Sequence, residues 1–216
     1  MKPKFSAVLF DLDDTLVDTH QHILKAFNHS LELQGFPPIK ESLLAARAGI
    51  PLTVIYPEIA PLGDLKQFLD DHFEFQKDNA TLIEEYAHAN STLDKLRASG
   101  LKLAIVTGRF RRTTNIVMAH TGLDKKVDFI LCSDEMEKTK PHPHPFLAAA
   151  KKLGVPPSEC LVVGDGSYDI ISGNAAGMKT CRAMYGYGAQ EPCPEKPDFE
   201  IDDVKEVLEI VFGKLK

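Results

Sequence analysis

The four cysteines of this 216-residue chain, Cys132, Cys160, Cys181 and Cys193, show no CxxC spacing. Cys132 and Cys160 fall in or beside apolar runs and read as small core hydrophobes, which fits a reducing cytosol. No run approaches the ~18 apolar residues that a membrane span needs. The start, "MKPKFSAVLFDLDD", is basic and then apolar, but the apolar run is short, ends in aspartates and precedes no small-residue cleavage pattern. A signal peptide is therefore not expected. Excess positive charge is missing too. The formal net charge of −6 argues against a nucleic-acid groove or an anionic-membrane surface. There is no internal repeat and no low-complexity tract. The reading is a cytoplasmic protein that must concentrate positive charge locally, or borrow it from a metal, if it handles anions.

What is present is ordinary globular composition, 44% hydrophobic and 26% charged, enough to bury a core. Five β-rich runs stand out: Phe5–Phe10, Leu101–Val106, Val127–Cys132, Cys160–Gly164 and Lys179–Met184. Most are continuous apolar stretches without alternation, which predicts strands buried on both faces. Helical patterns lie between the later ones: "RRTTNIVMAHTG" stopping at Gly122, "HPFLAAAKKLG" stopping at Gly154, and "SYDIISGNAAG" closing at Gly177. The final "IDDVKEVLEIVFGKLK" reads as one amphipathic helix with Val204, Val207, Leu208 and Val211 on a stripe. Alternation of this kind predicts an α/β fold, a doubly wound parallel sheet of five or more strands with helices on both faces.

Between Asp18 and about Ser99 no strand is evident. Instead "HILKAFNHSLELQG", "DLKQFLDDHFEF" and "TLIEEYAHANSTLDKLRASG" carry helical spacing, separated by turns at "GFPP", "AGIP" and "APLG". A crossover needs one helix, so the surplus predicts an inserted helical subdomain. The expected division is a core of residues 1–18 and 89–216 and a helical insert of residues 19–88.

Polar residues just after the strands are the ones to inspect, because open α/β sheets bind ligands beyond the carboxyl ends of their strands. They are Asp11-Leu12-Asp13-Asp14-Thr15, Thr107-Gly108-Arg109, Lys140-Pro141 and Gly164-Asp165-Gly166-Ser167-Tyr168-Asp169. Carboxylates gather in this way around a hard divalent cation, and an oxygen-rich site suits Mg²⁺. A lysine, a hydroxyl and backbone amides beside them suit phosphoryl oxygens. Of two carboxylates two residues apart, one can attack phosphorus while the other handles the leaving group's proton.

In this order "DLDDT", "VTGR", "TKPHPHPF" and "VGDGSYD" resemble the four motifs of the haloacid dehalogenase-like superfamily, and the helical insert resembles its α-helical cap. The resemblance spans nearly the whole chain. It implies that Asp11 is the nucleophile, forming an aspartyl-phosphate, and a Mg²⁺ ligand. It implies that Asp13 is the general acid/base, with its backbone carbonyl on the metal. Thr107 and the Gly108 N–H would hold the phosphoryl group, Lys140 would neutralise charge, and Asp165 and Asp169 would complete the metal site. Members with only the first aspartate are dehalogenases, so Asp13 points to phosphoryl chemistry. "LLAARAGIPL" (Leu43–Leu52) resembles the cap segment of the phosphoglycolate phosphatase and pyrophosphatase branch. Arg47 within it has the reach for a substrate carboxylate or second phosphate, and reads equally as a surface arginine.

The sequence departs from the commonest pattern at two positions. Asp14 stands where many relatives have glycine; it is expected to act through its backbone with its side chain turned away. Arg109 replaces the usual lysine, either to contact substrate or, the preferred reading, to cap the following helix. His142 and His144 read as exposed loop histidines, His20 and His22 receive no role, Asp18 reads as a loop charge, and "DEMEK" (Asp134–Lys138) reads as a solvated loop. The function expected is a Mg²⁺-dependent phosphatase of small phosphorylated metabolites such as phosphoglycolate, acting as a monomer or homodimer. The alternatives are a β-phosphoglucomutase-type mutase, a nucleotidase or pyrophosphatase, and, outside catalysis, a phosphorylatable signalling domain.

Overall fold

Every residue of the first strand, β1 (Ala7–Phe10), is apolar and buried. A strand with no polar side needs cover on both faces. The computed structural model, which describes residues 3–45 and 50–213, supplies it. Val8 and Phe10 enter one apolar cluster, while Ala7 and Leu9 enter another on the opposite face. The alternation of period two is present, but both of its phases are hydrophobic.

The remaining strands are β2 (Val17–Asp18), β3 (Glu84–Glu85), β4 (Lys102–Val106), β5 (Phe129–Leu131), β6 (Cys160–Gly164), β7 (Lys179–Ala183) and β8 (Phe199–Ile201). Six of them form a parallel sheet in the order β5-β4-β1-β6-β7-β8. Leu93 and Leu96 of α5 (Ala89–Ala98), Val117 of α6 (Arg111–Thr121) and Val207 of α9 (Val207–Val211) cover one face. Phe146 and Ala149 of α7 (His144–Leu153) pack on the other, beside α8 (Ser167–Ala175). The fold is therefore the doubly wound α/β arrangement expected. The chain moves from β1 outward through β4 to β5, then crosses to β6 and moves outward the other way. That reversal opens a crevice at the carboxyl ends of β1, β4 and β6.

Residues between β2 and β3 form α1 (His20–Leu33), α2 (Glu41–Ala45), α3 (Leu52–Ile59) and α4 (Leu65–Asp78). They share a core of their own that includes Phe27, Leu31, Ile55, Tyr56 and Phe68. Asp64 starts α4 by accepting from the Lys66 and Gln67 N–H groups at 2.9 and 3.2 Å, a side-chain N-cap. No helix among the described residues is long and apolar enough to cross a membrane.

Three sequence readings need correction. Leu82 and Tyr86 carry helical spacing, yet Glu84–Glu85 is a strand paired antiparallel with Val17–Asp18. The helix starts only at Ala89, because His88 adopts the left-handed region at φ 70° and breaks any helix through it. The C-terminal helix is also shorter than its stripe suggests. Phe199–Ile201 pairs parallel with β7 as a sixth strand, and the Asp203 carboxylate then accepts from Lys205 N–H at 2.9 Å to begin a separate turn. Finally, Asp134–Lys138 is not merely a solvated loop. Asp134 accepts from the Arg111 N–H at 2.8 Å and Glu135 pairs with the Arg111 guanidinium at 2.7 Å, so together they hold the start of α6.

Candidate active site

The turn after β1 sets the geometry. Asp11 leaves the strand with its N–H still donating to Val163 O at 2.8 Å, and Leu12 and Leu16 are fully buried beneath it. The Asp14 N–H donates to Val17 O at 2.7 Å, which closes the loop and requires φ 57° at Asp14. Aspartate is among the few non-glycine residues that enter this region readily. Asp11 and Asp13 are thereby held at the mouth of the crevice.

Three other loops bring their side chains to the same place. Lys140 Nζ, almost wholly buried, donates to Asp11 Oδ1 and Asp169 Oδ1, each at 2.7 Å, and to Val106 O at 3.2 Å. Burial pulls its ammonium down, but the Asp11 and Asp169 carboxylates more than reverse this and leave it above the ordinary lysine range. Asp165 follows β6, accepting from Thr15 Oγ1 at 3.2 Å and Gly188 N–H at 2.7 Å. A Cβ at Gly164 would lie 2.4 Å from Asp169 Cγ, so only glycine leaves Asp169 its place. Thr107 is fully buried and its Oγ1 accepts from Arg109 N–H at 3.1 Å, which leaves its own proton to donate elsewhere.

Among the described residues, Asp11, Asp165 and Asp169 bring one carboxylate oxygen each within 4.8 Å of one another, all buried. That spread is close to the roughly 4 Å separating oxygens on opposite sides of one Mg²⁺. The charge balance also calls for a cation. Burial raises Asp11 to about 7 despite the opposing pull of Lys140, with repulsion from Asp169 and Asp13 adding to the rise. Burial and repulsion from Asp14 and Asp11 push Asp165 well above the usual carboxylate range. One ammonium is too little for this cluster, and an oxygen-only donor set suits a hard divalent ion. The Asp13 carboxylate does not join the cluster, so any contact it makes with a metal falls to its carbonyl.

Asp13 instead faces Arg109. Its carboxylate accepts from Arg109 Nε at 2.7 and 2.9 Å and from Thr19 Oγ1 at 2.5 Å. Arg109 thus does not cap α6. A guanidinium only donates, and a helix N-terminus needs acceptors. Its Nη1 donates to Gln76 Oε1 at 3.0 Å, and its Nη2 is buried with no partner among the described residues. A directed chain of hydrogen bonds follows. The Gln76 amide donates to His72 Nε2 at 3.0 Å, so the ring carries its proton on Nδ1 and donates to Tyr56 Oη at 2.7 Å. Tyr56 in turn donates to Ser30 Oγ, and Ser30 ends the chain on the Phe27 carbonyl at 3.0 Å. Burial and the nearby Arg109 hold His72 well below its ordinary range and His22 at about 4, so both are neutral at pH 7.

Asp11, Asp13, Gly108, Asp165 and Asp169 line a cleft of about 850 Å³, counting its open mouth, between the sheet and α1–α4. Thr107 and Lys140 stand directly behind it. Arg47 lies outside the described residues. The Asp14 side chain is not turned away: it lines the cleft and accepts from Thr19 N–H at 3.3 Å, and burial with repulsion from Asp13 raises it to about 8. Asp18 is exposed and accepts from His20 N–H at 3.2 Å. His142 is exposed, and His144 opens α7. His20 has a place after all. Its ring stacks on Tyr187 with centroids 3.5 Å apart, and its Nε2 meets Glu41 Oε1 at 2.7 Å.

Sequence reasoning missed Gln76, His72, Tyr187 and Arg182, whose Nε donates to Asp165 O at 3.1 Å. The signal for the loop after β7 lay in "YGYG" (Tyr185–Gly188). Gly186 has no room for a Cβ, which would fall 2.3 Å from Asp14 O, and Gly188 carries the N–H that meets Asp165. Gln76 and His72 carried no such signal, since each sits in an ordinary amphipathic helix.

The sequence profile of the haloacid dehalogenase-like hydrolases matches residues 8–183. Pyrophosphatase PpaX of Bacillus velezensis is 32% identical over 213 residues, covering 98% of both chains. PpaX of Bacillus cereus is 31% identical over 210 residues, covering 96% of this chain and 97% of its own. Among solved structures, a "predicted phosphoglycolate phosphatase" from Haemophilus somnus 129PT superposes with a TM-score of 0.88 at 27% identity, covering 96% and 98% of the two chains. CbbY from Rhodobacter sphaeroides, at 20% identity and a TM-score of 0.81 over 94% of this chain and 96% of its own, shares the fold. The chain belongs to the haloacid dehalogenase-like hydrolase family.

Proposed function

We propose that this chain is a cytoplasmic, Mg²⁺-dependent phosphohydrolase of small phosphorylated metabolites that works through a phosphoryl group carried on Asp11. The observation that carries the reading is the convergence of Asp11, Asp165 and Asp169 with Lys140, which bridges Asp11 and Asp169, while Asp13 is held apart by Arg109. An Asp11 oxygen attacks phosphorus as the bond from phosphorus to the ester oxygen breaks. Asp13 gives its proton to that departing oxygen. Asp13 then takes a proton from water, whose oxygen attacks phosphorus and releases phosphate and the Asp11 carboxylate. Lys140, the Thr107 hydroxyl and the Gly108 N–H receive the phosphoryl oxygens. Mg²⁺, held by Asp11, Asp165, Asp169 and the Asp13 carbonyl, would supply positive charge where negative charge develops. Residues 19–88 act as a cap that excludes water from the attack step.

A second reading, inorganic pyrophosphate as substrate, is favoured by the PpaX relatives. The test is phosphate release from phosphomonoesters and pyrophosphate, with and without Mg²⁺, by the parent and Asp11→Asn. The expected result is Mg²⁺-dependent turnover that the substitution abolishes while circular dichroism shows the fold kept. Turnover retained in Asp11→Asn would falsify the mechanism.

A further inference from the structure

The cleft has two unlike ends. Toward the sheet it is carboxylate-lined; toward α1, α2 and α3 it is walled by Ile23, Phe27, Leu44, Leu52 and Ile55. These five side chains offer a second phosphate no donors, and desolvating a multiply charged group against them costs several kcal/mol. They favour an apolar body instead. Among the described residues that line the cleft, Arg109 alone carries a permanent positive charge. It is 7% exposed, its Nε and Nη1 are committed to Asp13 and Gln76, and its Nη2 has no partner. A buried donor left unpaired is costly, which argues that the bound substrate completes it.

Position narrows the ligand further. The guanidinium is rigid and planar, so the unpartnered Nη2 is fixed relative to the Nε that holds Asp13. Asp13, on the reading above, protonates the departing ester oxygen. An acceptor that reaches Nη2 must therefore stand close to that oxygen along the leaving group. Resting on that reading, we propose that the substrate is a phosphomonoester of an apolar 2-hydroxy acid: its carboxylate completes Arg109, and a substituent larger than that of glycolate seats on Ile23, Phe27, Leu52 and Ile55. Arg109 is the specificity-determining residue.

A matrix of substrates and variants tests this. The substrates are inorganic pyrophosphate, phosphoglycolate, 2-phosphonooxypentanoate and its counterpart without the carboxylate, butyl phosphate. With Mg²⁺ present, kcat/KM is expected to rise by tens of fold from phosphoglycolate to 2-phosphonooxypentanoate, about three- to four-fold per methylene, and to exceed that for pyrophosphate. Arg109→Gln is expected to lower the value for 2-phosphonooxypentanoate about 10- to 100-fold more than that for butyl phosphate. Leu52→Thr, at a half-buried position, should shrink the gain from the propyl group. A lead for pyrophosphate or phosphoglycolate overturns the proposal. So does an equal fall for 2-phosphonooxypentanoate and butyl phosphate in Arg109→Gln, or a carboxylate preference that vanishes in Arg47→Gln and survives in Arg109→Gln. Turnover of none of the four compounds overturns the underlying phosphohydrolase reading, and this proposal with it.

Discussion

Carboxylates are crowded here beyond what one lysine can neutralise, and stability should show it. Burial and mutual repulsion raise Asp11 to about 7 and Asp14 to about 8. Unfolded aspartates ionise near 3.9, so between roughly pH 4 and 8 the folded state holds protons that the unfolded state has released. The stability these two carboxyls contribute then falls as pH rises across that window, while His22 and His72, kept neutral by burial, act in the opposite sense only below about pH 6.5. The metal-free protein should melt at a lower temperature at pH 8 than at pH 5. Mg²⁺ should raise Tm more at pH 8, because its ligands must be ionised. Asp14→Asn keeps a residue that tolerates φ 57° and an oxygen for Thr19 N–H. It should raise the metal-free Tm at pH 8, with a smaller gain at pH 5, as scanning calorimetry would record. A metal-free Tm that climbs toward pH 8 sinks this account. At this scale the sequence was readable where residue type and strand end coincide, as at Asp11, Lys140 and Asp165. It was unreadable at Asp14 and Arg109, because motif spacing says where a backbone goes and not which way its side chain turns.

Between elements, the buried hydrogen-bond chain from Arg109 through Gln76, His72 and Tyr56 to Ser30 ties α4, α3 and α1 to the site. Tyr56→Phe keeps the ring, which stacks on Phe68 with centroids 4.7 Å apart, and removes only the hydroxyl. It leaves the His72 proton and the Ser30 hydroxyl without that partner. Urea unfolding should show a loss of about 1–3 kcal/mol at an unchanged slope; a neutral result would mean that water replaces the hydroxyl. The long strands and helices were legible because their patterns run for several turns or alternate across a buried face. The pair β2 and β3 was not. Two residues carry no period, and Glu84–Glu85 sit within the helical spacing of Leu82 and Tyr86. β8 was hidden in the same way, three residues ahead of an amphipathic stripe that begins at Val204.

Taken whole, the molecule is closed over its cleft by α4, whose Phe73 and Gln76 meet Phe110 and Arg109, and by a further contact from α1 and α2. His20 on α1 stacks with Tyr187 from the loop after β7 and meets Glu41 of α2. An aromatic pair contributes about 0.5–1.5 kcal/mol beyond its buried area, so Tyr187→Ala should speed amide exchange in the first turn of α1 roughly two- to ten-fold, by mass spectrometry. Exchange unchanged there would show that the stack holds nothing shut. The two-residue pairing of Val17–Asp18 with Glu84–Glu85 carries a different consequence. The segment's two ends are hydrogen-bonded to each other in a small sheet of their own, so whatever lies between them leaves and rejoins the α/β core at one point. The span that its ends must bridge does not depend on what it contains. A lineage can lengthen, shorten or replace much of this segment without moving Asp11 or Asp13, provided that Thr19 and Gln76, which hold Asp13 directly and through Arg109, keep their places, so substrate preference can drift while the two working carboxylates stay where they are.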